Sequence, residues 1–282
     1  MPTIEVNGVT IYYEEAGSGT PLVFSHEFAG SYESWEPQVR HFARRYRVIT
    51  YNHRGYPPST VPRDPAAYAE ELLVDDLRAL LDALNIERAH IAGLSMGGAV
   101  TLKFAIAHPD RCIGAVVAGA GSGADDHEEW IRTGLATAQR FEEAWDSTAA
   151  AYAGGPARVQ LKQKDPRGWQ AFADLFLSHS PAGSANTFRG VQLKRRTIYE
   201  VERELGAVQV PVLIMVGDED EPCLRPALFM KQHLPNAGLV MFPRSGHANN
   251  LEEPALFNQF VMDFLTTVEQ GRWVPLRQAQ PA

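Results

Sequence analysis

The sequence predicts an α/β fold built on a mainly parallel sheet, and three observations carry that prediction. Apolar runs of strand length, over residues 21–25, 90–94, 112–118 and 210–216, alternate with segments of helical periodicity. The runs are continuous in apolar character, as strands covered on both faces are. Each ends near a turn that holds serine, histidine or carboxylate side chains or several glycines, where parallel sheets gather ligands. At 282 residues and 45% hydrophobic, the chain is long enough for one large domain, with or without an insertion.

In chain order, residues 3–15 alternate as two short strands around Asn7-Gly8, a type I′ hairpin signal. Gly17-Ser18-Gly19 turns the chain into the run 21–25, which ends at His26-Glu27-Phe28-Ala29-Gly30. A helix over about 35–46 leads to a strand over 47–51 and the loop Asn52-His53-Arg54-Gly55-Tyr56-Pro57-Pro58-Ser59. Leu72, Leu73, Leu77, Leu80, Leu81 and Leu84 share a helical face over 68–84, and Asn85 stops that helix. The next strand enters a glycine-rich turn at Ser95 and a helix that Pro109 ends. The strand 112–118 opens on Gly119-Ala120-Gly121-Ser122-Gly123-Ala124, which fits a dinucleotide fingerprint. Asp125, Asp126, Glu128 and Glu129 would repel a pyrophosphate there, so the segment reads as a flexible exit from the sheet.

From about 122 to 204 the strand signal disappears, and aromatic-rich helical patterns break at Gly154-Gly155-Pro156, Asp165-Pro166 and Ser180-Pro181. An all-helical cap over the sheet's edge follows, its aromatics read first as ordinary helix packing. The sheet resumes over 210–216, turns at Gly217-Asp218-Glu219-Asp220-Glu221, and passes through a helix near 226–234 to a strand over 238–242. Ser245-Gly246-His247 and an amphipathic helix over 254–268 complete the pattern. The division is a core over 1–121 and 205–270, a cap over 122–204 and a loosely held tail over 271–282.

Composition narrows the function. A formal net charge of -8 argues against a general nucleic-acid surface, and the compact basic run Lys194-Arg195-Arg196 reads as a solvated helix face. Cys112 and Cys223, the two cysteines, imply neither a disulfide framework nor a zinc cage. No basic-then-apolar leader and no run of membrane-spanning length occurs, so a cytoplasmic protein without a membrane partner is expected. The motifs of zinc proteases and phosphate-binding loops are missing, so neither metal nor cofactor is expected and the partner is a small-molecule substrate. Monomer and homodimer both remain open.

Gly93-Leu94-Ser95-Met96-Gly97 is a G-x-S-x-G turn between strand and helix, the pattern that exposes a serine hydroxyl on a strained backbone. By itself it could be a glycine-rich turn with a surface serine. A serine hydroxyl needs a base to remove its proton, and His247, after a late strand and flanked by small residues, is the candidate. A carboxylate should hold the other ring nitrogen; Asp220 is preferred to Asp218 because it stands on the loop beyond the strand-ending glycine. Asp218, Glu219 and Glu221 then read as solvated.

With Gly93-Leu94-Ser95-Met96-Gly97-Gly98, Gly217-x-x-Asp220, Ser245-Gly246-His247, His26-x-Phe28-x-Gly30 and Arg54-Gly55 with Ser59, the chain resembles the α/β-hydrolase family over residues 3–268. The resemblance implies an eight-stranded sheet, a helical cap after the sixth strand, and an oxyanion hole made by the N–H groups of Phe28 and Met96. Two departures stand out. Glu27 replaces the glycine usual after His26, and Asn52-His53 opens a loop that usually begins with aspartate. If Glu27 keeps a positive φ it is strained, and its carboxylate, with His26, lines the substrate pocket; the alternative is a solvent-facing side chain. The reaction expected is cleavage of an ester or lactone through an acyl-serine. Carbon–carbon bond hydrolysis or cofactor-free peroxidase chemistry on the same triad, and a ligand-binding protein without turnover, are the alternatives. Cap aromatics point to an apolar substrate, whereas Arg189 and residues 194–196 would suit an acidic one.

Overall fold

The computed structural model describes residues 2–275. Strands β1 (Thr3–Val6), β2 (Val9–Ala16), β3 (Thr20–Ser25), β4 (Tyr46–Tyr51), β5 (Ala89–Leu94), β6 (Cys112–Ala118), β7 (Val212–Gly217) and β8 (Ala237–Phe242) form one eight-stranded sheet. Its order is β1-β2-β4-β3-β5-β6-β7-β8. β2 runs antiparallel to both β1 and β4, and the remaining pairs are parallel. At the β1–β2 turn Asn7 and Gly8 both take positive φ, 47° and 75°, as the hairpin signal requires.

Helices α1 (Glu36–Phe42), α2 (Glu70–Ala83) and α3 (Met96–Ala107) lie between the early strands. Between β6 and β7 come α4 (His127–Glu143), α5 (Trp145–Ala153), α6 (Val159–Lys164), α7 (Pro166–Leu177), α8 (Pro181–Thr187) and α9 (Glu202–Ala207). α10 (Glu221–His233) joins β7 to β8, and α11 (Asn249–Glu252) and α12 (Pro254–Glu269) follow. Along β3 the side chains alternate between two cores, which explains the unbroken apolar run. Phe24 packs with Trp35, Phe42, Phe257 and Phe264 on the α1 and α12 face, while Val23 packs with Leu77, Leu80 and Phe104 on the α2 and α3 face.

Three expectations shift. The helix placed at 35–46 is shorter, since a 3-10 turn capped by Ser31 precedes α1 and Tyr46 already belongs to β4. α10 starts at Glu221 rather than near Pro226, because Pro222 occupies the first turn, where a missing N–H leaves no bond unmade. The tail is anchored through Trp273, whose Nε1–H donates to the Asn236 carbonyl at 3.2 Å and whose ring meets Phe264 edge-on at 4.7 Å. The rest of the expected tail, from residue 276, lies outside the described residues. No helix among the described residues is long and apolar enough to cross a membrane.

The helical insertion between β6 and β7 packs directly on the loop after β3. Phe28 from that loop meets Phe188 at 5.0 Å, Tyr152 at 5.6 Å and Phe141 at 5.7 Å, centroid to centroid. These rings form a helix-packing core, as the aromatic-rich sequence suggested.

Candidate active site

Each reactive loop leaves the carboxyl end of a parallel strand: His26 after β3, Ser95 after β5, Asp220 after β7 and His247 after β8. Ser95 has φ 55° and ψ -111°, an orientation side chains rarely adopt, at roughly 1–3 kcal/mol. Two glycines make the turn possible. A Cβ on Gly93 would overlap the Gly97 backbone, and one on Gly97 would overlap the Ser25 carbonyl, so strand and helix touch without side chains between them. The Ser95 N–H donates to the Ala118 carbonyl at 2.8 Å, tying the turn to β6.

The imidazole of His247 reaches Asp220, Nδ1 to Oδ2, at 2.8 Å. Asp220 is acceptor-only when ionised, so Nδ1 carries the proton and Nε2 is left to accept. Burial works against the Asp220 carboxylate. The His247 charge and hydrogen bond, a hydrogen bond from the Cys223 thiol and the Arg158 charge outweigh it, and its pKa falls below the usual value. Asp218 is exposed and has a different task, accepting from the Ser245 N–H at 3.1 Å to hold the histidine loop against the acid loop. Glu252, buried, holds the same loop from behind through the Ser245 Oγ–H at 3.1 Å and the Gly246 N–H at 2.9 Å. From the insertion, the Ala157 carbonyl accepts the His247 N–H at 3.0 Å.

Asp220, Cys223 and His247 bring their donor atoms within 4.8 Å of one another. Metal binding would require a thiolate, and burial first, then the Asp220 charge, drives the Cys223 pKa well up. The carboxylate and imidazole already satisfy each other, so the donor chemistry fits a hydrogen-bonded pair.

Phe28 lies in the loop three residues beyond the end of β3 and Met96 two residues beyond the end of β5, and neither N–H donates to an acceptor among the described residues. Met96 opens α3, so its free N–H stands where a helix favours negative charge. His26 does not line the pocket. It is fully buried; the His53 N–H donates to its Nε2 at 3.1 Å, so Nδ1 carries the proton and donates to the Glu27 carbonyl at 2.7 Å. With both nitrogens used, His26 shapes the loop and has no free edge for substrate. Glu27 carries none of the expected strain, since it is not among the residues with positive φ. Nor does it line the pocket or face solvent: at 1% exposure it sits behind the wall and pairs with Arg158 of the insertion, Nη1 to Oε1 at 3.2 Å and Nη2 to Oε2.

Asn52 explains the other departure. Its Oδ1 accepts the Tyr32 N–H and its Nδ2–H donates to the Pro57 carbonyl, both at 2.7 Å, a double role that aspartate could not fill. Arg54 of the same loop pairs with Asp76 through Nε and Nη2 at 2.6 and 2.7 Å, both residues buried.

Ser95, Asp220 and His247 line one cavity of about 330 Å³, closed by Trp130, Tyr152 and Phe188 of the insertion. A π turn over Phe188–Gln192 extends α8 and sets Phe188 and Gln192 in that wall. The basic residues that would suit an acidic substrate lie elsewhere. Arg189 pairs with Glu142 by two bonds of 2.7 Å, Arg196 with Glu204 at 2.6 Å, and Arg195 lines a neighbouring void of about 40 Å³ opposite Glu70. Arg158, which does line the main cavity, carried no sequence signal: it is one arginine in a polar helical stretch.

A mainly parallel sheet with serine, carboxylate and histidine after β5, β7 and β8 defines an α/β-fold hydrolase scaffold. Residues 20–254 match the alpha/beta hydrolase fold family, and the chain belongs to it. It is 30% identical over 256 residues to a Caulobacter sp. (strain K31) protein with the provisional name carbamate hydrolase RutD, covering 87% of this chain and 90% of that protein. It is 28% identical over 251 residues to 3-oxoadipate enol-lactonase 1 of Acinetobacter baylyi (strain ATCC 33305 / BD413 / ADP1), covering 88% and 89%. The crystal structure of the enol-lactonase from Burkholderia xenovorans LB400 superposes with a TM-score of 0.83 at 25% identity, covering 94% of this chain and all of that one. The protein is a hydrolase of this family.

Proposed function

We propose that the chain is a serine hydrolase that cleaves a small-molecule carboxylic ester or lactone through an acyl-serine. The observation that carries the reading is the 2.8 Å contact of His247 Nδ1 with Asp220 Oδ2 in a cavity that Ser95 also lines. Ser95 Oγ attacks the carbonyl carbon as His247 Nε2 takes its proton, and the oxyanion forms against the N–H groups of Phe28 and Met96. His247 returns the proton to the leaving oxygen as the C–O bond breaks. Water then repeats the sequence on the acyl-serine and regenerates the hydroxyl. Asp220 keeps the ring in the accepting tautomer and offsets the imidazolium charge. The helical insertion acts as a cap, supported by the rings and the Ala157 carbonyl it brings to the site. Two buried free cysteines suit a cytoplasmic enzyme.

Relatives named for enol-lactone and carbamate hydrolysis support hydrolytic use of the scaffold and set the test. Purified protein is treated with a fluorophosphonate and assayed on aryl esters, lactones and a carbamate, beside Ser95→Ala. Labelling at Ser95 and turnover on esters or lactones that Ser95→Ala lacks is the expected result. No labelling, or equal turnover in the variant, overturns the reading.

A further inference from the structure

One charged pair, with Arg158 in the cavity wall and Glu27 behind it, takes no part in the steps above. Arg158 ends the 3-10 turn Pro156–Arg158 and lines the cavity, with its guanidinium 4.9 Å from the Phe172 ring centroid. Glu27, from the loop after β3, binds both of its terminal nitrogens. Such a buried pair gives little stability over an apolar pair of equal volume, but it fixes the charge of the wall.

Arg158 is the only lysine or arginine among the lining residues, and the Asp220 charge acts on it as well as Glu27's. The next cation, Arg195, donates to the Ser122 carbonyl at 2.9 Å and faces Glu70 across the smaller void. Among the residues that line the main cavity no unpaired lysine or arginine is therefore left for a substrate anion; Arg195, whose Nη1 has no partner, lines the smaller void instead. The remaining wall carries apolar Trp130, Phe188 and Pro222 and uncharged polar groups such as Thr133, Thr137 and Gln192. A substrate carboxylate brought here would lose its water and meet a guanidinium already bound by the Glu27 carboxylate.

Resting on the serine-hydrolase reading, we infer that Glu27 is a specificity-determining residue: by neutralising Arg158 it restricts the site to substrates with an uncharged acyl part and excludes those carrying a second carboxylate. Glutamine at position 27 keeps the size and frees the guanidinium.

The test compares phenyl hexanoate with monophenyl glutarate, whose acyl chains differ chiefly in a terminal carboxylate. Wild type favours the hexanoate in kcat/KM. Glu27→Gln moves that ratio toward the glutarate by about tenfold or more, because an unshared cation in a poorly hydrated wall attracts an anion strongly. Arg158→Gln, which leaves Glu27 unopposed, moves it the other way. If the pair is only a latch between insertion and core, both variants slow the two esters alike and the ratio stays put, which overturns the inference. The same comparison is read as a ratio of Kd values in a Ser95→Ala background, so it holds where turnover is slow. Failure of fluorophosphonate to label wild type counts against the hydrolase reading alone, while the Kd ratio still decides the role of Glu27.

Discussion

Acid should destabilise this protein steeply, and the reason is a set of neutral buried histidines around the loop after β3. His26 lies 4.6 Å from both the His53 and Tyr56 rings, and Tyr56 lies 5.2 Å from His179 of the insertion. Neither ring nitrogen of His179 has a partner among the described residues. Burial lowers His26 from 6.5 to about 4; burial, then the His26 charge, lowers His179 from 6.5 to about 3. Between those values and 6.5 the unfolded chain binds protons that the folded one refuses, so stability is full above about pH 6.5 and falls as pH drops. At about 1.4 kcal/mol per pKa unit, the two groups account for roughly 3 and 5 kcal/mol, together on the order of a domain's whole stability. Urea unfolding from pH 8 to 4 is the assay. Near pH 5 these two groups contribute a slope of about two protons, about 2–3 kcal/mol per pH unit, and His53 and His90, whose pKa values burial also lowers, steepen the wild-type loss further. His179→Phe, set between the Tyr56 and Phe176 rings, should remove about one proton from the slope and be the more stable protein at pH 4.5. Equal slopes in the two proteins, or stability flat from pH 6.5 to 4.5, would refute the reasoning.

Other expected outcomes concern the site and its supports. Asp220→Asn should lower kcat by about 10⁴ through loss of the correct His247 tautomer, whereas Asp218→Asn, which keeps an oxygen for the Ser245 N–H, should stay within tenfold; steady-state kinetics on one ester compares them. Gly97→Ala forces a Cβ into the Ser25 carbonyl, and the shift of strand or helix should be seen as several degrees lost from Tm together with activity. Arg54→Met leaves buried Asp76 without its counter-charge, with only the Asn7 Nδ2–H still donating to it, and should cost about 3–5 kcal/mol in denaturant unfolding, with fluorophosphonate labelling retained at low temperature.

Local chemistry made much of this molecule legible before any coordinates. Gly93 and Gly97 announce a strand and helix in backbone contact around Ser95, and continuous apolar runs such as 21–25 announce strands with a core on either face. The order of serine, carboxylate and histidine at strand ends follows from the parallel sheet, since every such loop opens on one rim. These features are readable because their causes lie within a few residues of where they act. Contacts made at long separation were not readable in that way. Glu27 meets Arg158 across 131 positions, His26 turns both nitrogens inward, and Trp273 docks on Asn236, each decided by which surface the folded chain lays against it. The residues 194–196 show the converse, a basic run whose members part toward Ser122 and Glu204 once the helices are packed. Sequence by itself determined the scaffold and the positions of the reactive groups; tertiary packing alone decided the charge of the cavity they face, because an ion pair depends on distance in space and not along the chain.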